Sequence, residues 1–551
     1  MIDLTIKIGG EAGHGINSTG QILAKTLAAA GYYVFGYPEY PSLVRGGHNT
    51  FLLRVSEKPI YCQKQSVDVL LALDSKTVAA DAPFLSERGV LIYDDEESAP
   101  VSLPRPRKAI GVPLAKLTKE IGGDEIMRNT VGLGSIFAVF DLPVSFLEAE
   151  ISKEFADKDP RVPGRNLRAM LAGYRFTRQT MFKYAHLLPT LPPEHSKGLK
   201  ISVLSGNEAL AKAALASGMT FSAIYPMTPI QSLLTILKAL EKESNLQIIQ
   251  PADEIEGINM AIGAAYVGKS AMVATSGGGF CLMTEALGLS AQAEIPLVII
   301  LGSRPGPATG LPTGTEQGDL RFALHAGHGD FPRLVLAPGN LQEIITATQQ
   351  AFKLANKYGV PAIVLVDKFL CESLSAITLE QLQSLESPIS QHQGKTELIT
   401  KTSGEEHDKD GFICEEAENR KQMMEQRMGK LESVAKEITG FSEYPLRGAK
   451  TLVISWGSPK EAVLEAVHIL GERGNKINCL FLNSFSPFPG EAISLILKNY
   501  KNIIIIENNY SGQAASVIRE KTGFEILNKL LKYDGRPFEI EEIVEYISSK
   551  M

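Results

Sequence analysis

Short apolar runs alternate with amphipathic stretches along most of this chain. Leu4-Thr-Ile-Lys-Ile8 reads as a strand, Gly9 to Gly15 as a glycine-rich turn, and the residues from Asn17 onward as a capped helix that stops at Gly31. The same pattern predicts strands at Tyr32–Phe35, Thr50–Val55, Val67–Leu73 and Val90–Tyr93, with helical character over Asn166–His186. A proline-rich stretch, Leu188-Pro-Thr-Leu-Pro-Pro193, reads as a linker. The alternation then restarts. Strands are expected at Ile201–Ser205, Phe221–Tyr225, Ala271–Thr275, Leu297–Leu301, Arg333–Ala337 and Ala362–Val366, with a helix opened by Gly206-Asn-Glu. Between Thr378 and Thr439 glutamate, lysine, serine and glutamine dominate, so this stretch reads as a solvated insertion or connector with one polar helix, Glu416–Lys436. A last unit follows, with strands Thr451–Trp456, Asn478–Leu482 and Ile503–Ile506 and a helix over Lys460–Arg473.

Short buried strands alternating with helices argue for an α/β protein built of doubly wound parallel sheets. No fixed period recurs, which sets solenoids aside. The expected organisation is an α/β domain over 1–190, a linker over 191–199, a second α/β domain over 200–377, the polar connector over 378–445 and a C-terminal α/β domain over 446–551.

A length of 551 residues supports about three or four domains with sizeable cores. With 44% apolar and 21% charged residues, the chain is neither disordered nor a coiled coil. Its net charge of −7 lacks the basic footprint of a nucleic-acid binder. Apolar runs such as Ile295–Leu301 fall far short of the ~20 residues that cross a bilayer, and the N-terminus reads as the start of a domain. The five cysteines (Cys62, Cys281, Cys371, Cys414 and Cys479) stand far apart with no CxxC pair. That set fits reduced thiols in a cytoplasm and excludes an iron–sulfur cluster held wholly by this chain in the usual motifs.

Several loops carry candidate chemistry. Gly10, Gly13 and Gly15 sit between a strand and a helix, where a phosphate or a plain tight turn fits equally well. The spacing is not GxGxxG, and Glu39, the nearest acid for a ribose, sits behind Tyr37-Pro38, so a dinucleotide fits poorly. Arg45 lies on the glycine-flanked loop Ser42–His48 and suits an anion, or the loop is a surface turn. Tyr225-Pro-Met-Thr228-Pro229 forms a rigid turn at a strand's C-terminal end, where α/β folds bind ligands. Asp253-Glu254 opens a helix of small residues. A glutamate there ordinarily complements the helix dipole, but against an apolar wall it can exchange a proton with a nitrogen heterocycle. Gly277 and Gly278 form another glycine loop after a strand, and the 18 residues Gly302–Asp319 form a glycine-, proline- and hydroxyl-rich loop of functional length. His325 and His328 have glycine neighbours and no third ligand nearby, so no metal site is assigned. Glu406-His407-Asp408 reads as a solvated turn.

Taken together, Tyr225–Pro229, Asp253–Gly268, Thr275–Phe280, Arg304–Leu320 ending in TEQGDL, and His328–Arg333 resemble the α subunit of 2-oxoacid:ferredoxin oxidoreductases, the pyruvate and 2-oxoglutarate enzymes among them. The first 190 residues resemble the γ subunit of the same enzymes, and Glu507–Gln513 with Asp534–Phe538 resemble the C-terminal α domain. The resemblance implies three parts: a γ-type domain, a thiamine-diphosphate pyrimidine-binding domain and a transketolase C-terminal-like domain. It implies coenzyme A-dependent oxidative decarboxylation of a 2-oxoacid to acyl-CoA and CO2, with electrons passed to ferredoxin. A separate β subunit would hold the diphosphate, its Mg²⁺ and a [4Fe–4S] cluster, leaving this chain inactive alone. Glu254 matches the glutamate that protonates the aminopyrimidine and Thr228 the threonine that contacts the 2-oxoacid carboxylate. Arg304 and Thr313 lie in the loop expected to close over substrate. Gly277, Gly278, Gly10, Gly13, Gly15 and Arg45 are the expected cofactor contacts. Gly314 stands where 2-oxoglutarate-type relatives carry an arginine, which leaves the acid open. A nucleotide-dependent dehydrogenase using the N-terminal glycine loop, and a noncatalytic assembly subunit, are the alternatives.

Overall fold

The computed structural model describes residues 2–43, 46–96, 98, 101, 103–104, 107–181, 201–242, 244–386 and 403–551. The linker expected over 191–199 and Arg45 lie outside the described residues. The chain divides into two compact units: Met1–Leu204 with Ser373–Leu382, and Ser205–Glu372 with Gln383–Met551.

The first unit holds an eight-stranded sheet in the order Lys108–Val112, Leu85–Asp94, Val67–Ala72, Asp3–Ala12, Gly46–Ser56, Tyr33–Glu39, Leu374–Thr378, Ile201–Ser205. Asp3–Ala12 and the three strands on one side of it run parallel. On its other side Gly46–Ser56 pairs antiparallel with both Asp3–Ala12 and Tyr33–Glu39. This sheet is therefore mixed, for a simple reason. Glu39 and Gly46 are too close in sequence for the crossover that a parallel connection needs, so the two strands pair antiparallel. Isoleucine, valine and leucine from the sheet pack against the helices Ile16–Ala29, Arg128–Phe140 and Arg161–Met181 to form one apolar core.

The second unit carries two further sheets. Seven strands run in the order Ser484–Ser486, Leu334–Leu336, Pro361–Asp367, Leu297–Ser303, Ala271–Ser276, Phe221–Ala223, Gln247–Ile249, parallel except at the first pair. Ala271–Ser276, Leu297–Ser303 and Pro361–Asp367 are buried throughout, as central strands covered on both faces must be. The smaller sheet orders Phe441–Tyr444, Ile477–Leu482, Thr451–Trp456, Asn502–Glu507, Asn528–Leu531, with only the first strand antiparallel. One apolar cluster runs through both sheets of this unit, and within it the Phe280 and Phe322 rings meet edge to face at 5.1 Å. The polar stretch after Thr378 forms the helix Ala417–Ala435. Glu406, expected in a solvated turn, is instead gripped by Arg427 and Arg420. Burial pushes its carboxyl up, and the two guanidinium groups more than offset that and hold it at about 2. No described helix is long and apolar enough to cross a membrane.

Candidate active site

Four segments of the second unit follow the C-terminal ends of neighbouring parallel strands, Phe221–Ala223, Gln247–Ile249, Ala271–Ser276 and Leu297–Ser303. Asp253 caps the helix Glu254–Tyr266 by accepting from the Glu256 amide at 2.8 Å, and Glu254 is the first residue inside that cap. Glu254 is only 4% exposed, and its Oε1 has no hydrogen-bond partner among the described residues. Such a group is costly to leave unpaired and is expected to have a use.

The strand Ala271–Ser276 runs directly into the helix Gly277–Gln292, whose first three residues are glycines. Two of those glycines set the site's dimensions. A Cβ at Gly279 would overlap Thr275 Oγ1 and Glu254 Oε1 and would lie 2.8 Å from Glu254 Cδ. A Cβ at Gly277 would lie 2.6 Å from both carboxylate oxygens of Asp319. Hydrogen at these positions lets one helix N-terminus lie against two carboxyl groups. Gly278 faces open space, with only Ala308 O at 3.9 Å from a Cβ placed there.

The loop after Leu297–Ser303 supplies the third wall. Arg304 donates from Nη1 to the Thr228 carbonyl oxygen at 3.1 Å, which brings two of the expected substrate residues together. Ser303 Oγ donates to Asp319 Oδ2 at 2.6 Å. Burial raises the Asp319 carboxyl, while that hydroxyl and the Arg304 charge act the other way. Burial also lowers Arg304, and Asp319 acts to raise it. Glu316 is pushed up to about 7, first by burial and then by the Asp319 charge. Thr313 is half-buried in the same loop. Gly314 beside it packs on Gly535: a Cβ there would lie 3.1 Å from Gly535 O and 3.1 Å from Pro305 Cγ.

Asp319, Glu316 and Ser303 were not singled out from the sequence. Asp319 and Glu316 stand within TEQGDL, but nothing in a loop's spacing tells which acid turns inward.

The N-terminal glycines belong to the first unit. Gly13 and Gly15 have φ of +99° and +69°, which glycine adopts without strain. Gly10 is a packing residue, with a Cβ there only 3.0–3.2 Å from His14, Ile16 and Leu73. Gly13, Gly15 and the start of the helix Ile16–Ala29 border a cavity of about 410 Å³ that Glu11 and Glu39 also line, so acidic side chains stand where an anion would be expected. Among the described residues no cluster of three or more histidines, cysteines, aspartates or glutamates could hold a metal ion.

Known proteins match this chain along nearly all of its length. The family described as pyruvate ferredoxin/flavodoxin oxidoreductase matches residues 5–176. The thiamine diphosphate-binding family of pyruvate flavodoxin/ferredoxin oxidoreductase matches 212–439, and core domain II of pyruvate:ferredoxin oxidoreductase matches 449–543. The α subunit of a 2-oxoacid:ferredoxin oxidoreductase from Saccharolobus solfataricus is 33% identical, over 98% of this chain and 97% of that one. The 2-oxoglutarate oxidoreductase subunit KorA of Mycobacterium tuberculosis is 27% identical over 100% of this chain and 92% of its own. Among solved structures, the 2-oxoglutarate:ferredoxin oxidoreductase of Magnetococcus marinus, with 2-oxoglutarate, coenzyme A and succinyl-CoA bound, superposes with a TM-score of 0.89 at 27% identity, covering 100% of both chains.

Proposed function

The chain belongs to the 2-oxoacid:ferredoxin oxidoreductase family, and from that premise we propose that it is an α-type subunit, with a γ-type segment in front, acting in concert with a separate β subunit. The complex converts a 2-oxoacid and coenzyme A to acyl-CoA and CO2 and passes the electrons to ferredoxin. The observation that carries this reading is the buried, unpartnered Oε1 of Glu254 against Gly279, beside the Arg304–Thr228 pair.

A protonatable heterocycle is what such an oxygen lacks, and the aminopyrimidine of thiamine diphosphate provides one. When bound, thiamine diphosphate supplies the nucleophilic carbon and the electron sink for decarboxylation. Glu254 holds or gives up the proton at Oε1, and its buried setting keeps water from competing for it. Thr228 and the Arg304 guanidinium orient the substrate carboxylate, and Thr313 closes over it. Asp319, held by Ser303 Oγ, seats the start of the helix Gly277–Gln292 and the charge of Arg304.

Apolar side chains on the segments that build the site are exposed: Ile255 next to Glu254, Leu282 on the glycine-led helix and Leu311 in the loop are each about half exposed. Apolar exposure on those segments fits coverage by a partner subunit. Cys62, Cys371 and Cys479 are buried and the five cysteines stand far apart with no CxxC pair, which supports placing the iron–sulfur cluster, like the diphosphate and Mg²⁺, in the β subunit of a cytoplasmic complex.

The test is co-purification of a tagged copy from its native cell. The expected product is a brown complex with a second chain of roughly 30 kDa. It should contain thiamine and iron and reduce a viologen dye only when given a 2-oxoacid and coenzyme A. A colourless, thiamine-free single chain would refute the proposal and return attention to the N-terminal glycine loop.

A further inference from the structure

The Glu507–Gln513 turn takes no part in the chemistry above, yet it is tied closely to the substrate loop. Glu507 is fully buried, and its carboxylate accepts from Trp456 Nε1 (3.1 Å), Asn509 Nδ2 (3.0 Å) and the amides of Ala514 (2.8 Å) and Ala515 (2.9 Å). Four donors on one carboxylate hold the turn at the start of the helix Gln513–Thr522. Asn509 Oδ1 adds two more bonds, from the Gly512 amide at 2.8 Å and the Gln513 amide at 3.2 Å.

From this fixed turn Gln513 reaches across to the TEQGDL segment. Its Nε2 donates to Gly318 O at 2.6 Å and its Oε1 accepts from the Arg321 amide at 2.9 Å. Gln317 reaches the other way. Its Nε2 donates to Trp456 O at 2.7 Å, its Oε1 accepts from the Asn508 amide at 2.8 Å, and its own amide donates to Asn508 O at 2.6 Å. The Thr315 amide donates to Gly535 O at 2.9 Å. Asp319 thus lies between two anchored stretches, one residue beyond Gly318 and two before Arg321.

We propose that Gln513 and Gln317 form a reciprocal amide clamp by which the C-terminal sheet positions the substrate loop, seating Asp319 and, through it, Arg304. Both glutamines are positioning residues. Each uses one donor and one acceptor on backbone groups, so their contribution is geometric. A loop as long as Gly302–Asp319 has many conformations to lose, and the clamp restricts them before substrate arrives. The proposal rests on the reading of Arg304 and Asp319 as part of the substrate site.

The test compares the wild-type complex with Gln513→Met, which keeps the volume and removes both bonds, and with Gln513→Glu, which keeps the acceptor for Arg321. Two readouts are taken on the holoenzyme: kcat and KM for the 2-oxoacid by dye reduction, and amide hydrogen exchange across residues 303–321. Gln513→Met is expected to raise KM about tenfold with a smaller change in kcat, to speed exchange within 303–321, and to leave thiamine loading unchanged. Gln513→Glu should fall between it and the wild type, and it carries the test if the methionine variant does not assemble. Unchanged exchange and KM, or faster exchange spread evenly over the chain, would overturn the proposal. If the wild-type complex shows no 2-oxoacid activity, a local rise in exchange in Gln513→Met would count against the functional reading alone.

Discussion

Replacing Glu254 by glutamine tests the central inference, because glutamine keeps the shape and removes the exchangeable proton. The side chain is 4% exposed and its Oε1 has no partner among the described residues. No hydrogen bond of that oxygen is therefore lost, and a carboxamide of equal size meets Thr275 and Gly279 as the carboxylate does. The cost to folding is confined to the favourable placement of a negative charge in the first helical turn, about 0.3–1 kcal/mol. The cost to turnover is much larger. Proton exchange by a positioned side chain contributes roughly 10²–10⁴-fold, which at about 1.4 kcal/mol per tenfold is about 3–5.5 kcal/mol. Glu254→Gln should thus assemble, load thiamine and iron, and melt within a few degrees of wild type, while viologen reduction falls at least a hundredfold. The assay is 2-oxoacid- and coenzyme A-dependent dye reduction by the complete complex, with melting followed in parallel. More than a tenth of wild-type activity in a fully loaded variant would refute the reasoning and favour a scaffold role for the chain.

Gly279→Ala should lower dye reduction by about a hundredfold, because its Cβ displaces the Glu254 carboxyl by the better part of an ångström. Gly263→Ala, on the helix that Glu254 opens and with nothing within 4 Å of the new methyl, should keep full activity and gain about 0.5–1 kcal/mol in melting experiments. Glu316 gives a pH signature. Its folded carboxyl titrates at about 7 against an ordinary value of 4.5, so the folded chain binds the extra proton between those values, and stability should fall as pH rises from about 4.5 to 7. Glu316→Gln should flatten that part of a melting-temperature profile, and an unchanged slope would exclude Glu316 as its source.

Much of the fold is legible because burial leaves a direct trace in the chain. Leu297–Ser303 and Pro361–Asp367 are nearly continuous apolar runs, and central parallel strands have no solvated face to interrupt them. The helix at Glu254 is announced by the capping Asp253. Leu374–Thr378 is harder. It leaves the second unit to pair antiparallel with Tyr33–Glu39, more than three hundred residues earlier, and a short strand with two buried positions carries no mark of so distant a partner. The antiparallel pairing of Tyr33–Glu39 with Gly46–Ser56 is also quiet, because both strands read as members of a wound sheet until their closeness in sequence is weighed. At the site, Thr228 and Arg304 were readable as rigid-turn and loop residues that the fold then joined. Glu254, on its residues alone, reads first as a dipole complement, and Gly10 reads equally as a phosphate glycine or a tight-turn glycine while serving to pack Ile16 against Leu73. Chemistry that depends on which way a side chain points is set by tertiary contacts, which local spacing does not encode.

The two carboxyl groups at the start of Gly277–Gln292 show how those contacts divide labour. Both lie against the same glycine turn, Asp319 at Gly277 and Glu254 at Gly279, so the same helix terminus acts on both. Asp319 has a hydroxyl donor at 2.6 Å and the Arg304 charge nearby, and a carboxylate so engaged is suited to holding other groups still. Glu254 has one oxygen with no partner, so any donor that enters the cleft finds it free. Acid–base roles in a shared site follow from such differences in surroundings rather than from residue type. On this argument Asp319→Asn should act mainly by loosening Arg304, whereas Glu254→Gln removes the proton itself. Placing both groups on one helix turn also explains the glycines at its first and third positions, where any side chain would occupy the space the carboxyl groups need.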